Sequence, residues 1–356
     1  MAHNLFSPIL VGSIFLKNRI VMAPLTRCRA GPSHLPNDLM KEYYTQRASA
    51  GLIITEATMI APNTSTYTGE PGIYNDEQVQ GWKQITDAVH AKGGKIVLQL
   101  WHAGRAAHPL NNNGVDVVSP SAIAAQGEAI TLQGKKPYTV PRALTVDEIQ
   151  SIVQQFATAA KTSIHEAGFD GVEVLCANGY LLDQFLHSCA NSRTDQYGGS
   201  LENRSRFLVE VLDAVTKAVG ADKVGARFAT LGSGGWTDQE DVADLSEHLA
   251  KIAQRFDLAY AHILRRDYSN VLTGDVEPIF RRHFKNVVIS NMGYTRDDAN
   301  AAIEEGRVDA VSFGSLFVAN PDLPERFKEG AELNMPDYSK YFASGPEGYT
   351  DYPALS

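Results

Sequence analysis

The sequence predicts an α/β fold, a single (β/α)8 TIM barrel in which residues 1–356 form one domain. Two observations support this. Eight short apolar runs rich in β-branched residues alternate with segments of helical period, and no break in composition divides the chain. Short runs buried on both faces are typical of parallel strands, and eight successive βα units close into a barrel. An open, doubly wound sheet is the second candidate.

The predicted strands are short and separated by helical segments. They cover residues 19–23, 52–56, 95–100, 171–174, 223–228, 258–263, 287–289 and 310–313. Between them, apolar side chains recur at the spacing of a core-facing helix, as at Ile149, Ile152, Val153 and Phe156.

Two pairs of residues have the spacing of a helix capping box, Thr145 with Glu148 and Thr237 with Glu240. We therefore expect a helix to begin at each of them. Residues 110–142 are polar and rich in Asn, Gly and Pro. This stretch is too long for an ordinary connection, so we predict a long excursion over the barrel mouth after strand 3, in the position of a lid.

Composition and charge narrow the class of protein. The formal net charge is -9 and no block of Lys or Arg occurs, so we expect neither a nucleic acid nor a membrane as partner. No apolar stretch has the length of a membrane span and the N-terminus does not resemble a signal peptide, which predicts a cytoplasmic protein. The Cys and His residues follow no metal-binding spacing, so no metal site is expected.

Barrel enzymes carry their chemistry at the C-terminal ends of the strands. The residues there suit a planar ligand with a polar edge and a phosphate. Gln99 can donate and accept at a ring edge, Thr26 can hydrogen bond near a redox-active atom, and Arg227 supplies a positive charge. Residues 290–293 and 314–315 follow strands seven and eight, where barrels commonly hold a phosphate on backbone N–H groups.

Nine motifs in order, from about Leu5 to the end of the chain, point to one family. They are NRIVMAPLTR at 18–27, QRASAG at 46–51, PGIY at 71–74, LQLWHAGR at 98–105, GFDGVE at 168–173, ANGYLLDQF at 177–185, RTDQYGGS at 193–200, ANPDL at 319–323 and GYTDYP at 348–353. On these motifs the chain resembles the old yellow enzyme family of FMN-dependent ene-reductases, which includes NADPH dehydrogenases and 12-oxophytodienoate reductases. Thr26, rather than Cys, is similar to the yeast, plant and enterobacterial branch.

The resemblance implies a bound FMN that NADPH or NADH reduces and that an α,β-unsaturated carbonyl compound, a nitroalkene or a quinone reoxidises, by ping-pong hydride transfer. Tyr180 would then give a proton to the α-carbon, Asn178 would hydrogen bond the activating oxygen, and Thr26 would tune the flavin near its O4. The partner would be a small molecule, and the protein a monomer or homodimer.

The predicted site has two parts. The cofactor would be bound by Pro24, Leu25, Thr26, Ala57, Gln99, Arg227, Ser290, Asn291, Met292, Gly293, Phe313, Gly314 and Ser315. The substrate pocket would be lined by Tyr67, Trp101, Leu175, Asn178 and Phe342. Structural roles are the alternatives for some of these residues: Tyr180 or Trp101 packed in the core, Asn178 capping a turn, and Arg227 paired with a carboxylate inside the barrel.

The sequence departs from the family pattern at the site. Leu175 stands where the family usually has a histidine that donates to the substrate, and neither His102 nor His262 has the spacing to replace it. Other departures are Met292 for a glycine, Ser315 for the phosphate-binding arginine, Ala229-Thr230 for Ser-Pro, and Phe342 for a tyrosine. Arg296 is a candidate phosphate ligand in place of Ser315. The alternative function is therefore a catalytically impaired barrel that binds a flavin or another ligand.

Overall fold

The computed structural model describes residues 3–231, 242–266 and 274–355. Its strands are β1 (Ile9–Val11), β2 (Ile14–Leu16), β3 (Ile20–Met22), β4 (Leu52–Ile54), β5 (Thr58–Met59), β6 (Ile96–Trp101), β7 (Val118–Ser119), β8 (Glu128–Thr131), β9 (Gly134–Pro137), β10 (Arg142–Ala143), β11 (Gly171–Cys176), β12 (Val224–Phe228), β13 (Tyr260–Leu264), β14 (Val287–Asn291) and β15 (Ala310–Phe313).

The α-helices are α1 (Asp38–Gln46), α2 (Asp76–Ala91), α3 (Val146–His165), α4 (Leu181–Leu186), α5 (Leu201–Val219), α6 (Val242–Arg255), α7 (Glu277–His283), α8 (Arg296–Glu304), α9 (Ser315–Ala319) and α10 (Leu323–Glu329). Short 3₁₀ helices cover Gly104–Ala106, Pro109–Asn111, Ala221–Lys223 and Tyr338–Lys340. None of the helices in the described ranges is both long and apolar enough to cross a membrane.

The predicted barrel is confirmed. In the described residues, β3, β4, β6, β11, β12, β13, β14 and β15 pair in this order, each parallel to the next, and β15 returns to pair with β3. They are the eight strands that the apolar runs predict, and their ends differ from the prediction by a few residues at most. The doubly wound alternative is therefore wrong, because an open sheet would leave two unpaired edges.

The ends of the helices follow local sequence signals. The predicted capping box at Thr145 and Glu148 begins α3, with both reciprocal hydrogen bonds formed. The other predicted box, Thr237 with Glu240, lies outside the described residues. The excursion after the third barrel strand contains the antiparallel hairpin β8–β9, and the parallel pair β7–β10 joins its beginning to its end.

The excursion packs on loops at the C-terminal end of the barrel. Asn112 exchanges hydrogen bonds with the backbone of Ser65, just after β5, and Ser121 accepts one from the backbone of Ser192, in the segment that follows α4. These contacts place residues 110–142 on the side of the barrel where the chemistry is expected.

Side chains fill the barrel interior in layers, because alternate residues of each strand point inward. The bottom layer is apolar and includes Val97 and Ile289, packed against the β1–β2 hairpin. Two residues further along these strands lie Gln99 and Asn291, both buried and polar. The barrel therefore has an apolar floor and, above it, a buried polar layer that faces the mouth.

Candidate active site

The ends of β3, β14 and β15 open into a cavity of about 750 Å³, a size typical of cofactor sites. Most of the predicted cofactor residues line it, namely Pro24, Leu25, Arg227, Asn291, Met292, Gly293, Phe313, Gly314 and Ser315. The remaining ones, Thr26, Ala57, Gln99 and Ser290, lie outside its lining. The Ser290 hydroxyl points away from it and donates a hydrogen bond to Glu277 at 2.7 Å.

The backbone after β14 is left-handed at two successive residues. Met292 has φ +88° and Gly293 has φ +69°. An L side chain at positive φ is strained, which explains why glycine suits position 292. Arg265 holds this turn from outside, since its Nε donates to the carbonyl of Met292 at 2.9 Å and its Nη2 to that of Gly293 at 2.8 Å.

The rim of the cavity near Ser315 carries a cation that is already engaged. Arg296 lines the cavity, but its Nε pairs with Asp297 at 2.9 Å and its Nη1 donates to the carbonyl of Phe327 at 3.2 Å. Its ion pair with Asp297 is exposed and therefore weak. The guanidinium can therefore turn toward an anion at a small cost in free energy. A phosphate ligand at this position would have to make that movement.

Below the cavity, the polar layer is one hydrogen-bonded network. Gln99 donates from Nε2 to Glu173 at 2.7 Å, and the other carboxylate oxygen of Glu173 lies 2.9 Å from Nδ1 of His262. Nε2 of His262 lies 2.8 Å from the Ser312 hydroxyl. Arg227 lies beside His262 and donates from Nη2 to Asn291 at 2.9 Å. All these side chains are at least nine-tenths buried.

The network keeps the carboxyl group of Glu173 charged and the imidazole of His262 neutral. Burial opposes the charge of Glu173, but His262, Arg227 and Gln99 together hold its pKa below the usual value. Burial first, and then the nearby Arg227, lower the pKa of His262 to about 4. At neutral pH the layer therefore contains a carboxylate, a neutral imidazole and a guanidinium.

The alternative role for Arg227 was to pair with a carboxylate inside the barrel. It is correct in part, because the residue does lie in the barrel interior. Its contact with the carboxylate of Glu173 is indirect, through His262, while the residue also lines the cavity. Sequence reasoning missed Glu173 and considered His262 only as a substitute donor. The available signal was a charged residue inside the apolar run 171–174, since such a group is seldom buried without a partner.

The loop with Thr26 is held by a buried carboxylate. Glu56 accepts hydrogen bonds from the backbone N–H of Arg27 at 3.0 Å and from the Tyr44 hydroxyl at 3.2 Å. Burial raises the pKa of Glu56 to about 7, although these hydrogen bonds act in the opposite direction. Thr26 itself is partly exposed and so is open to a ligand.

The same loop is tied to the end of the chain. Nη2 of Arg27 donates to the carbonyl of Gly348 at 2.7 Å, and its guanidinium lies 5.2 Å from the centre of the Tyr349 ring. Arg29 donates to the carbonyl of Tyr341 at 2.7 Å. Residues more than 300 positions apart thus form one buried cluster of arginines and tyrosines, in which cation–π contacts add to the hydrogen bonds.

The predicted substrate residues lie around an apolar cluster. Leu175 is 4% exposed and packs in a cluster that contains Ala57 and Trp101, with Tyr180 and Met292 against it. Met292 also lines the cavity, so the cluster and the cavity are adjacent. Phe342 stacks on Tyr67 with 5.0 Å between ring centres.

Tyr180 stands at the edge of this cluster. Its ring meets that of Trp101 edge to face, with 5.2 Å between centres, and its hydroxyl is hydrogen bonded to that of Tyr67. Trp101 is fully buried, whereas Tyr180 remains partly exposed. The alternative of a packed core residue therefore fits Trp101 better than Tyr180.

Asn178 occupies a left-handed turn two residues before Tyr180. Its φ is +62°, a conformation that asparagine tolerates better than most residues. In the described part of the chain its buried Oδ1 has no hydrogen-bond partner, so this oxygen does not cap the turn. Asp183 and Gln184 fix the turn instead, through the N–H and the carbonyl of Gly179.

Comparisons with known proteins agree along most or nearly all of the chain. A model of the NADH:flavin oxidoreductase / NADH oxidase family matches residues 4–334. The probable flavin mononucleotide-dependent alkene reductase of Leishmania infantum is 45% identical over 357 residues, 99% of this chain and 97% of that protein.

Solved structures with this fold are also similar. Morphinone reductase in complex with tetrahydroNAD has a TM-score of 0.94 and 44% identity, covering 99% of this chain and 98% of that one. The old yellow enzyme from Trypanosoma cruzi has a TM-score of 0.95 and 41% identity, covering 99% of each chain.

Proposed function

The chain belongs to the NADH:flavin oxidoreductase / NADH oxidase family, and from this premise we propose that it is an FMN-dependent oxidoreductase that reduces activated carbon–carbon double bonds with NADPH or NADH. Its relatives confirm the resemblance to the old yellow enzymes. Its substrates are small molecules in which a carbonyl, nitro or quinone oxygen polarises the double bond.

The residues around the cavity fit FMN. The ring edge of a flavin needs donors and acceptors in one plane, which the buried layer of Gln99 and Arg227 supplies. Its phosphate needs backbone N–H groups and a cation, which the turn at Met292 and Gly293 and the side chain of Arg296 offer. When bound, FMN supplies the two-electron carrier between the nicotinamide and the substrate.

One observation carries the proposal of catalysis rather than binding alone. Tyr180, a partly exposed phenol, lies against the apolar cluster that Met292 joins to the cavity. We assign to Tyr180 the delivery of a proton to the α-carbon, because a phenol hydroxyl can act as a general acid. Its hydrogen bond with Tyr67 would orient this proton.

We assign the activating oxygen of the substrate to Asn178. Negative charge grows on that oxygen during reduction, so a fixed N–H donor there lowers the barrier. Leu175, which occupies the place of the usual second donor, offers only apolar contact. Since one such donor is worth about 3 kcal/mol, we expect strongly polarised nitroalkenes and quinones to react faster than simple enones.

The catalytically impaired barrel is the second candidate, and the apolar surroundings of Leu175 and the neutral Ser315 favour it. A protein of this kind would bind FMN or another ligand without rapid turnover. Both candidates predict ligand binding, so only the second half of the reaction distinguishes them.

Stopped-flow absorbance in the visible flavin band tests the proposal. The purified protein is reduced anaerobically with NADPH or NADH and then mixed with 2-cyclohexenone, a nitroalkene or a quinone; saturated cyclohexanone is the control. We expect bleaching by the nicotinamide and fast recovery with the nitroalkene or quinone. Bleaching without recovery by any acceptor supports the impaired barrel, and failure to bind FMN contradicts both candidates.

A cytoplasmic location and a monomeric or homodimeric state remain proposals based on the sequence. Cell fractionation and light scattering of the purified protein test them.

A further inference from the structure

Glu173 occupies the centre of the polar layer and is an acceptor on both sides. One carboxylate oxygen faces Nε2 of Gln99 at 2.7 Å, and the other faces Nδ1 of His262 at 2.9 Å. The carboxylate is fully buried and carries a charge, with its pKa held below the usual value. An ionised carboxylate has no proton to donate, so both neighbours must present N–H groups to it.

The orientation of the Gln99 amide follows from this. Because Nε2 is committed to Glu173, the oxygen Oε1 must point in the other direction. None of the described residues donates a hydrogen bond to this oxygen. Gln99 is therefore an acceptor toward any ligand that reaches it, although a glutamine side chain by itself could present either end.

The tautomer of His262 follows in the same way. Nδ1 carries the proton that Glu173 accepts, which leaves the lone pair on Nε2 for the Ser312 hydroxyl at 2.8 Å. Nη1 of Arg227 lies 2.7 Å from Nε2 and 3.1 Å from Nδ1. An atom this close to both ring nitrogens must lie over the ring rather than along one lone pair, and a neutral ring accepts a guanidinium there.

We propose that Glu173 is a positioning residue that sets the hydrogen-bond polarity of the flavin site. It turns the Gln99 oxygen toward the ring N3–H and, through His262, holds Arg227 as a donor at the same edge. The site would thus select a ring that presents an N–H flanked by carbonyl oxygens. This inference rests on the proposed FMN binding, but Glu173 and His262, to which it gives the new role, need not touch the cofactor.

Glutamine cannot replace Glu173 without reversing one side of the network. In Glu173→Gln the new amide donates on one side. If it faces Gln99, the Gln99 amide must turn over and present a donor to the N3–H of the ring. If it faces His262, the proton of the imidazole must move to Nε2, beside Arg227. Either reversal weakens the ring-edge contacts.

The test uses protein stripped of flavin and two probes, FMN and FMN methylated at ring nitrogen N3, each titrated by fluorescence quenching. The unmutated protein is expected to bind the methylated flavin at least about tenfold more weakly, the loss of one hydrogen bond. In Glu173→Gln we expect a loss of affinity for FMN of similar size. If the Gln99 amide has turned over, the ratio between the two flavins falls close to one; if the His262 proton has moved instead, the ratio is kept and nitrogen-15 spectra of the variant show the proton on Nε2. General destabilisation would weaken both flavins equally, leave the ratio unchanged and keep the His262 proton on Nδ1.

Asp170→Asn is the matched control. Asp170 lies on the same segment, just before β11, and it binds Lys95, His90 and the Ile96 N–H at the opposite end of the barrel. This variant also loses a largely buried carboxylate, so it controls for stability and should retain the FMN affinity and the ratio. An unchanged FMN affinity and an unchanged ratio in folded Glu173→Gln overturn the proposal.

A measurement on the unmutated protein decides the matter if Glu173→Gln does not fold. Nitrogen-15 spectra of the imidazoles should show His262 neutral, with its proton on Nδ1; His262→Gln assigns the signal by its disappearance. A proton on Nε2 overturns the proposal. Neither the flavin affinities nor the imidazole spectra depend on turnover. They therefore test the role of Glu173 separately from the proposed reductase activity.

Discussion

Replacement of Glu56 by glutamine is expected to remove a pH-dependent loss of stability. The Glu56 carboxyl is fully buried behind the Thr26 loop and accepts hydrogen bonds from the backbone N–H groups of Arg27 and Cys28 and from the Tyr44 hydroxyl. Burial raises its pKa from 4.5 to about 7. Glutamine has the same shape, can accept from the Arg27 N–H, and does not ionise.

The sign follows from proton linkage. Since the native carboxyl holds its proton more tightly than the unfolded chain does, its contribution to stability is fully present below the unfolded pKa and is lost as the pH rises through about 7. With pKa values of 4.5 unfolded and about 7 folded, the free energy of unfolding should fall by about 2 to 3 kcal/mol between about pH 5 and pH 8 from this group alone.

Urea unfolding followed by tryptophan fluorescence, across this pH range, measures the effect as the difference between the unmutated protein and Glu56→Gln. Glu148→Gln is the control, because the ion pair with Arg142 and the bonds from Thr145 lower the pKa of Glu148 to about 2 and it stays charged throughout. Its difference from the unmutated protein should be constant with pH. An equally constant difference for Glu56→Gln would refute the reasoning.

Three further substitutions test the site. Leu175→His supplies the missing donor and should speed reoxidation by 2-cyclohexenone on the order of a hundredfold, with some loss of stability from the polar ring; an unchanged rate in stopped flow means that this donor is not limiting. Tyr180→Phe should slow reduction of the same enone by roughly a hundredfold while bleaching by the nicotinamide keeps its rate, and slower bleaching would contradict the assigned role. Met292→Gly relieves the left-handed backbone and should raise the free energy of unfolding by about 1 kcal/mol; a lower urea midpoint would show that packing of the Met292 side chain matters more.

The barrel could be predicted because its strands are short, apolar and separated by helical periodicity, and these signals are local. The polar layer could not. Gln99 and Glu173 are 74 positions apart and meet only through the register of β6 with β11, which no local pattern specifies. The position of Gln99 and Arg227 on their strands, together with the family resemblance, led to these two residues. The sequence assigned no role to Glu173 and considered His262 only as a substitute donor, because the partners of both lie on neighbouring strands.

The substrate pocket, too, could be predicted only in part from the sequence. The sequence indicates that Leu175 departs from the family pattern, yet only the packing shows that an apolar cluster surrounds it and reaches the cavity through Met292. The strain at Met292 also became visible only as a backbone angle. The catalytic roles of Tyr180, Asn178 and Thr26 stay predictions until the variants are measured.

The cluster that joins Arg27 and Arg29 to residues 341–349 affects how the protein is made. A ribosome releases the loop that follows β3 long before it releases residues 341–349, whose carbonyls and rings hold this loop. The loop around Thr26 therefore cannot reach its native contacts until more than 300 further residues have been synthesised. A substitution or insertion that hinders residues 341–349 would thus act on a distant part of the sequence, the loop around Thr26.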